Sequence, residues 1–196
     1  MYTWTENEHG RGSNEVGSGV LAFLERPELQ QYKHLIAWSA SCGGQNKNHN
    51  IVVLWQYLIK IGRFTCIDHK FPVVSHSRLD SDRDFELIEK KLRRIENVYT
   101  PRQYRTIMRE AVRKNPYEIN NATGTVIDLA KLGDLLELMK RTRNMDKQPV
   151  EFRNIRWMMI AEFGKFHYKL SFDDHTKRWE TVDIVQKERN AATILI

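Results

Sequence analysis

The stretch HLIAWSASCGGQNKNHNIVVLWQYLIKIG, His34 to Gly62, decides how the chain is read. It opens on a short run, HLIAWSA (34–40), that is continuously apolar in its middle. Such a run fits a central strand buried on both faces. A tight polar loop, SCGGQNKNHN (41–50), follows at once. Ile51, Leu54, Trp55, Leu58 and Ile61 then recur at helical spacing, and Gly62 is a natural stop past the last turn. FTCIDHKFPVV (64–74) reads as the next strand, with Pro72 near its end. A strand–helix–strand unit with short links predicts a parallel pair joined by a right-handed crossover.

Elements on both sides extend this unit. Val16, Val20, Leu21, Phe23 and Leu24 predict a short amphipathic helix after GRGSN, capped by Ser13 or Asn14 and closed by Pro27. Beyond the second strand, Asp80 to Glu96 reads as a helix with Phe85, Ile88, Leu92 and Ile95 on one face. Thr100 as cap and Pro101 at the first helical position open another. PYEINNATG reads as a loop, TVIDLAK as a short strand and GDLLELMKRT as a short helix. EFRNIRWMMIAEF, FHYKLSF and RWETVDIV read as strands, and the turn DDHTK joins the last two in a hairpin. No internal repeat or low-complexity segment interrupts this order.

With 196 residues the chain is long enough for one domain with a proper core. No run approaches the roughly 18 apolar residues of a membrane span, and MYTWTENEHGRGS lacks the pattern of a secretory signal. Two cysteines, Cys42 and Cys66, are too few for a disulfide framework or a cysteine-based zinc site, which points to a reducing compartment. The net charge of +6 favours an acidic partner, nucleic acid first. Basic residues cluster in KKLRR (90–94), RQYRTIMREAVRK (102–114) and KRTRNMDK (140–147). Taken singly, each cluster also fits the solvated face of a helix.

Two segments carry candidate chemistry. In open α/β sheets ligands bind outside the carboxyl ends of the strands, where SCGGQNKNHN lies. Gly43 and Gly44 permit unusual backbone angles. Gln45, Asn46, Lys47 and Asn48 supply donors beside a helix N-terminus that favours anions. Phosphate binding and a plain strand–helix turn capped by asparagine stand level here. The P-loop spacing is absent. The second segment is HSRLDSDRDFELIEK (76–90), where Asp82, Glu86 and Glu89 fall at i, i+4 and i+7 beside the apolar face. Carboxylates so placed suit Mg²⁺, although acids also enrich first helical turns because they oppose the macrodipole. His76 is a candidate to orient a carboxylate or phosphate, or a simple turn residue. Cys42 is a weaker candidate nucleophile without a paired histidine. Trp4, Trp38 and Trp55 are read as core residues.

Four segments together resemble a known family: YTWTENEHGRGSNEVGSGVLAFL, WSASCGGQNKNHNIVVL, FPVVSHSRLDSDRDFELIEK and VYTPRQY. They are similar to transposon-derived proteins of DDE transposase type with a ribonuclease H-like catalytic domain. That family's hallmark reads W-[ST]-D-x-C-x-G-Q-N-[KR]-N, followed by [GS]-H-[ST]-x-x-x-x-D-R-x-F-x-x-I-E. The resemblance covers residues 2–110 well and the tail loosely. It implies that the family's aspartate falls on Ala40, which has no oxygen to offer. In such domains acids at strand ends hold two metal ions about 4 Å apart. Asp82 and Glu89 match the acids of the second motif, as candidate metal carboxylates, with His76 beside them. The first acid is expected on an earlier strand that this chain, starting just before YTWTE, largely lacks.

The expectation is therefore an α/β fold with a ribonuclease H-like core of parallel strands and flanking helices over residues 1–115. An α+β C-terminal extension with a β-hairpin, residues 116–196, packs on it. The resemblance implies a transposase-derived DNA-binding domain related to metal-dependent phosphodiester cleavage and strand transfer, catalytically crippled by Ala40. The alternative is a domesticated, non-catalytic nucleic-acid or protein interaction module. Active relatives would use Mg²⁺ or Mn²⁺. Gln45, Asn46, Lys47 and Asn48, with Lys90, Lys91, Arg93 and Arg94, are the candidate contacts to DNA. No membrane partner is expected, a nuclear location is, and self-association is left open.

Overall fold

The structure, a computed structural model, describes residues 1–72, 79–122, 124, 126–172 and 178–186. In chain order it contains β1 (Tyr2–Thr3), α1 (Ser13–Leu24), β2 (His34–Trp38), α2 (His49–Lys60) and β3 (Cys66–Lys70). There follow α3 (Asp80–Leu92), α4 (Pro101–Arg109), β4 (Asn120–Asn121), α5 (Leu129–Leu135), β5 (Trp157–Ile160), β6 (Lys165–Lys169) and β7 (Glu180–Asp183). The fold is thus mixed α/β. Its main sheet has the strand order β2-β3-β5-β6-β7. Only β2 and β3 are parallel, with His34 opposite Cys66 and Trp38 opposite Lys70. The other three pairings are antiparallel. The short strands β1 and β4 form a separate parallel pair. Strands from both sides of residue 115 build the one sheet, because β5 pairs directly with β3. The segment DDHTK, read as the turn of a hairpin, lies outside the described residues, as does His76.

The crossover helix α2 explains where the core sits. Its residues Ile51 to Gln56 and Leu58 are all buried. One side meets the inner sheet face of Ile67, Met158, Ile160, Phe166 and Val182, and the other takes Leu24 of α1 and Leu129 of α5. Asn48 starts the helix, its side chain accepting from the Ile51 N–H at 3.2 Å. Gln56 is a polar residue with no solvent exposure. It is satisfied at both ends: Nε2 donates to the Lys165 carbonyl at 2.6 Å, and Oε1 accepts from Gly164 N–H at 2.7 Å. Gly164 holds φ +88 in the β5–β6 turn, and an added Cβ would strike Val185 Cγ2. A second, smaller core of Ile88, Met108 and Ile119 joins α3 and α4 to the segment before β4. Thr100 caps α4 with Pro101 at its first position, as the sequence predicts.

Three expectations are corrected. The run HLIAWSA does not make a central strand: among the described residues β2 is an edge, with His34, Ile36 and Trp38 exposed. Its apolar outward residues lie on the sheet's open face, while the strands that complete the sheet come from the C-terminal half and add beyond β3. Ser13 is the first residue of α1 rather than its cap. The Glu15 carboxylate accepts the Gly12 N–H at 2.8 Å in place of a hydroxyl cap. Of TVIDLAK, residues 126–131 do not supply a strand, because Asp128 accepts from the N–H groups of Ala130 and Lys131 and caps α5.

Gln56→Leu keeps the helix apolar but strands the Gly164 N–H and the Lys165 carbonyl. Each orphaned buried group costs about 1–3 kcal/mol. A loss of about 2–4 kcal/mol is expected in urea unfolding, seen as a lower midpoint with an unchanged slope.

Candidate functional site

The loop between β2 and α2 is folded around a single carbonyl. The Cys42 oxygen accepts from the N–H groups of Gln45, Asn46 and Lys47 at 3.2, 2.9 and 3.0 Å. Gly43 and Gly44 do not take positive φ, and nothing lies within 4 Å of a Cβ added to either, so the turn does not need their backbone freedom. Gln45 Nε2 donates to Arg11 O, and Asn48 Nδ2 to Gly43 O. Asn46 Nδ2 reaches the Ala40 carbonyl at 3.5 Å. Lys47 turns inward. It is buried, its Nζ donates to Arg153 O at 2.9 Å, and it lies 4.7 Å from the Phe71 ring centroid. Burial, aided by the charge of Arg156, pushes its ammonium down to about 8. Lys47 therefore ties the loop to the segment before β5 instead of offering its charge to a phosphate.

A hydrogen-bond relay that the sequence did not reveal ends at Ala40. Trp55 Nε1–H donates to His69 Nδ1 at 3.2 Å inside the core. An indole only donates, so the proton of the neutral imidazole sits on Nε2. Nε2–H faces Ser39 Oγ at 2.8 Å, and Ser39 in turn donates to the Ala40 carbonyl at 3.4 Å. The order of donors means that His69 gives a proton toward Ser39 and cannot take one from it. The pair is a brace for the strand end and not a nucleophile with its base. Burial, reinforced by Lys47, pushes His69 down to about 3.

The acids of the second motif lie apart from this loop. Asp82 Oδ2 accepts the Leu79 N–H at 2.8 Å and caps α3. Glu89 is exposed and paired with Arg93 at 3.4 Å. Among the described residues no hydrogen bond or ion pair links either acid to residues 39–48. A pair of Mg²⁺ or Mn²⁺ ions needs oxygens converging from strand end and helix. Ala40 supplies none, and Asp82 directs one oxygen, Oδ2, to the start of its own helix. Among the described residues, Ala40, Asp82 and Glu89 are not brought together into such a centre. The basic residues of α3 do come together. Lys90, Lys91 and Arg94 line a cleft of about 420 Å³ with Arg113, although Lys91 is held by Glu110 at 2.6 Å.

The open face of the sheet carries a feature no local motif announced. Register places Trp38 opposite Lys70, Lys70 opposite Trp157, and Trp157 opposite Lys169. Trp179, just before β7, completes the row beside Lys169. Lys70 Nζ lies 5.5 Å from the Trp38 ring and 4.2 Å from Trp157, and Lys169 Nζ lies 5.1 Å from Trp179. Trp38, read as core, is 50% exposed. One row further along the face, Asp68 accepts from His34 Nε2 at 2.6 Å and from Trp157 Nε1 at 2.5 Å. Beside it, burial and the Asp68 charge push the Cys66 thiol up. The signal that could have revealed this face is the alternation Cys66, Asp68, Lys70 along β3, which a short apolar run conceals.

Protonation of the buried His69 imidazole opposes folding. Its folded pKa lies below the unfolded one, so the unfolded chain binds a proton first as pH falls below about 6.5. Stability is then lost progressively toward pH 3, by about 2 kcal/mol at pH 5. Melting temperature should fall between pH 7 and 5. In His69→Gln, whose amide can bond both Trp55 and Ser39, that slope should flatten.

Compared with known proteins, residues 2–159 match the family model of a domain of unknown function, DUF7869. No curated protein and no solved structure matches the chain. The matched span runs from β1 through the β2–α2–β3 unit and both α3 and α4 into β5. The chain belongs to the DUF7869 family.

Proposed function

We propose that this chain is a nucleic-acid-binding domain of transposase descent that cleaves no phosphodiester bond as it stands. The observation that carries the reading is the row Trp38–Lys70–Trp157–Lys169–Trp179 across the open sheet face. Aromatic rings interleaved with ammonium groups suit a partner of bases joined by phosphates, with Trp157 meeting Trp179 edge-on at 4.9 Å and Trp38 meeting Phe172 at 5.6 Å. Stacking is worth about 1–3 kcal/mol per base, and cations track the backbone. The net charge of +6 and the basic cleft of Lys90, Arg94 and Arg113 act in the same direction. The absence of an acid at Ala40 supports a binding role over a catalytic one. DNA is the partner expected from the transposase resemblance, and a nuclear location belongs to the same reading. No helix among the described residues is long and apolar enough to cross a membrane.

Two outcomes test this. Single-stranded DNA should bind with an affinity that falls as salt rises, with a slope of about −0.7 per phosphate contacted. Trp38→Ala should weaken binding about 5- to 100-fold, and Lys70→Ala should make the salt slope shallower by about 0.7. Anisotropy of a labelled oligonucleotide measures both, and an affinity indifferent to both changes would sink the proposal. Second, neither the chain nor Ala40→Asp should nick DNA with Mn²⁺. Nicking by Ala40→Asp that is lost again in Asp82→Asn or Glu89→Gln would instead establish a nuclease centre.

A further inference from the structure

We propose that His34, Cys66 and Asp68 form a site for a divalent metal ion of borderline softness, Zn²⁺ by preference, on the open face of the sheet. The parallel register sets His34 opposite Cys66. Asp68 lies two residues further along β3 and so points to the same face. One ligand atom from each residue lies within 4.8 Å of the other two. Tetrahedral zinc, bound at 2.0–2.3 Å by nitrogen, sulfur and oxygen, keeps its donors roughly 3.5 Å apart. The His34–Asp68 contact of 2.6 Å has to open by about 1 Å while Cys66 Sγ closes in.

The donor set chooses the metal. Mg²⁺ and Ca²⁺ seek oxygen, whereas thiolate and imidazole beside one carboxylate suit Zn²⁺. The outer shell already exists. Asp68 Oδ1 is fixed by Trp157 Nε1–H at 2.5 Å, which leaves Oδ2 for the ion. Such partners orient ligating carboxylates and commonly change metal affinity 10- to 100-fold. Access is one-sided: the Asp68 side chain is 8% exposed and that of His34 is 52%. The ion enters past His34, and a water takes the fourth position. On binding, Cys66 releases its thiol proton to solvent and forms the S–Zn bond. The His34 proton that faces Asp68 moves by solvent exchange to Nδ1, freeing the Nε2 lone pair. Metal binding should therefore strengthen as pH rises. None of this depends on the nucleic-acid reading.

Co²⁺ is the probe, added to the full chain under reducing conditions. One equivalent should produce a thiolate-to-cobalt charge-transfer band in the near ultraviolet, and Zn²⁺ should abolish it by displacement. Cys66→Ser should remove the band, and Cys42→Ser should leave it intact. His34→Ala should lower Co²⁺ affinity at least tenfold. Trp157→Phe, which keeps a ring but loses the N–H, should lower it about 10- to 100-fold. Zn²⁺ should also raise the melting temperature of the wild-type chain and not that of Cys66→Ser. The proposal is overturned if wild-type protein gives no band at millimolar Co²⁺, or if the band follows Cys42 instead of Cys66.

Discussion

Helix α2 is buried along almost its whole length, and the rest of the molecule is arranged to make that tolerable. A helix with apolar residues on most sides must be covered on most sides. The sheet covers one flank, and α1 and α5 cover the other. The same burial obliges each polar group on α2 to find a partner inside the protein. Gln56 finds the β5–β6 turn, and Trp55 finds His69. These three bonds fix the helix against opposite parts of the sheet, two against the antiparallel tail and one against β3. They explain why β5 and β6 are as much part of this core as the strand–helix–strand unit.

From His69 the constraint passes outward to the strand end. The Trp55–His69–Ser39 relay stops at the carbonyl of Ala40, and Lys47 is drawn beneath the loop by the Arg153 carbonyl and the Phe71 ring. A buried ammonium and a buried neutral imidazole side by side are costly unless hydrogen-bonded. Both are, so the polar loop is supported from beneath by hydrogen bonds. Its donors largely serve the loop itself. That is the reason a segment rich in glutamine, asparagine and lysine yields so few groups turned toward a phosphate.

The outer sheet face follows different physics. Its side chains are partly exposed, so lysine and tryptophan can alternate there without a burial penalty, each ammonium lying near an aromatic ring. Asp68 is the exception, a carboxylate sunk into that face and held by an imidazole and an indole. The face therefore divides into a cation–aromatic row at one end of the strands and a mixed nitrogen, sulfur and oxygen cluster at the other.

How much of this was legible depended on the range of the interaction. Thr100 with Pro101, the periodicity of Ile51, Leu54, Trp55 and Leu58, and the paired strands around α2 are local patterns, and the sequence alone determined them. It also determined the absence of an acid at Ala40, since a side chain without oxygen cannot acquire one by folding. Register and partner choice were beyond it. An apolar run such as HLIAWSA has the same pattern whether it ends up central or at an edge, and only pairing of β3 with the distant β5 made it an edge. The row through Trp38, Lys70 and Trp157 draws on segments up to 119 residues apart in sequence. The cluster of His34, Cys66 and Asp68 needs two strands to lie in one register. Asp82 shows the converse: its spacing to Glu89 suggested a shared site, but its carboxylate met the nearest free donor, the N–H of Leu79, and closed its own helix. Tertiary structure decided these points because each depends on which backbone hydrogen bonds were formed between strands, and no single segment carries that information.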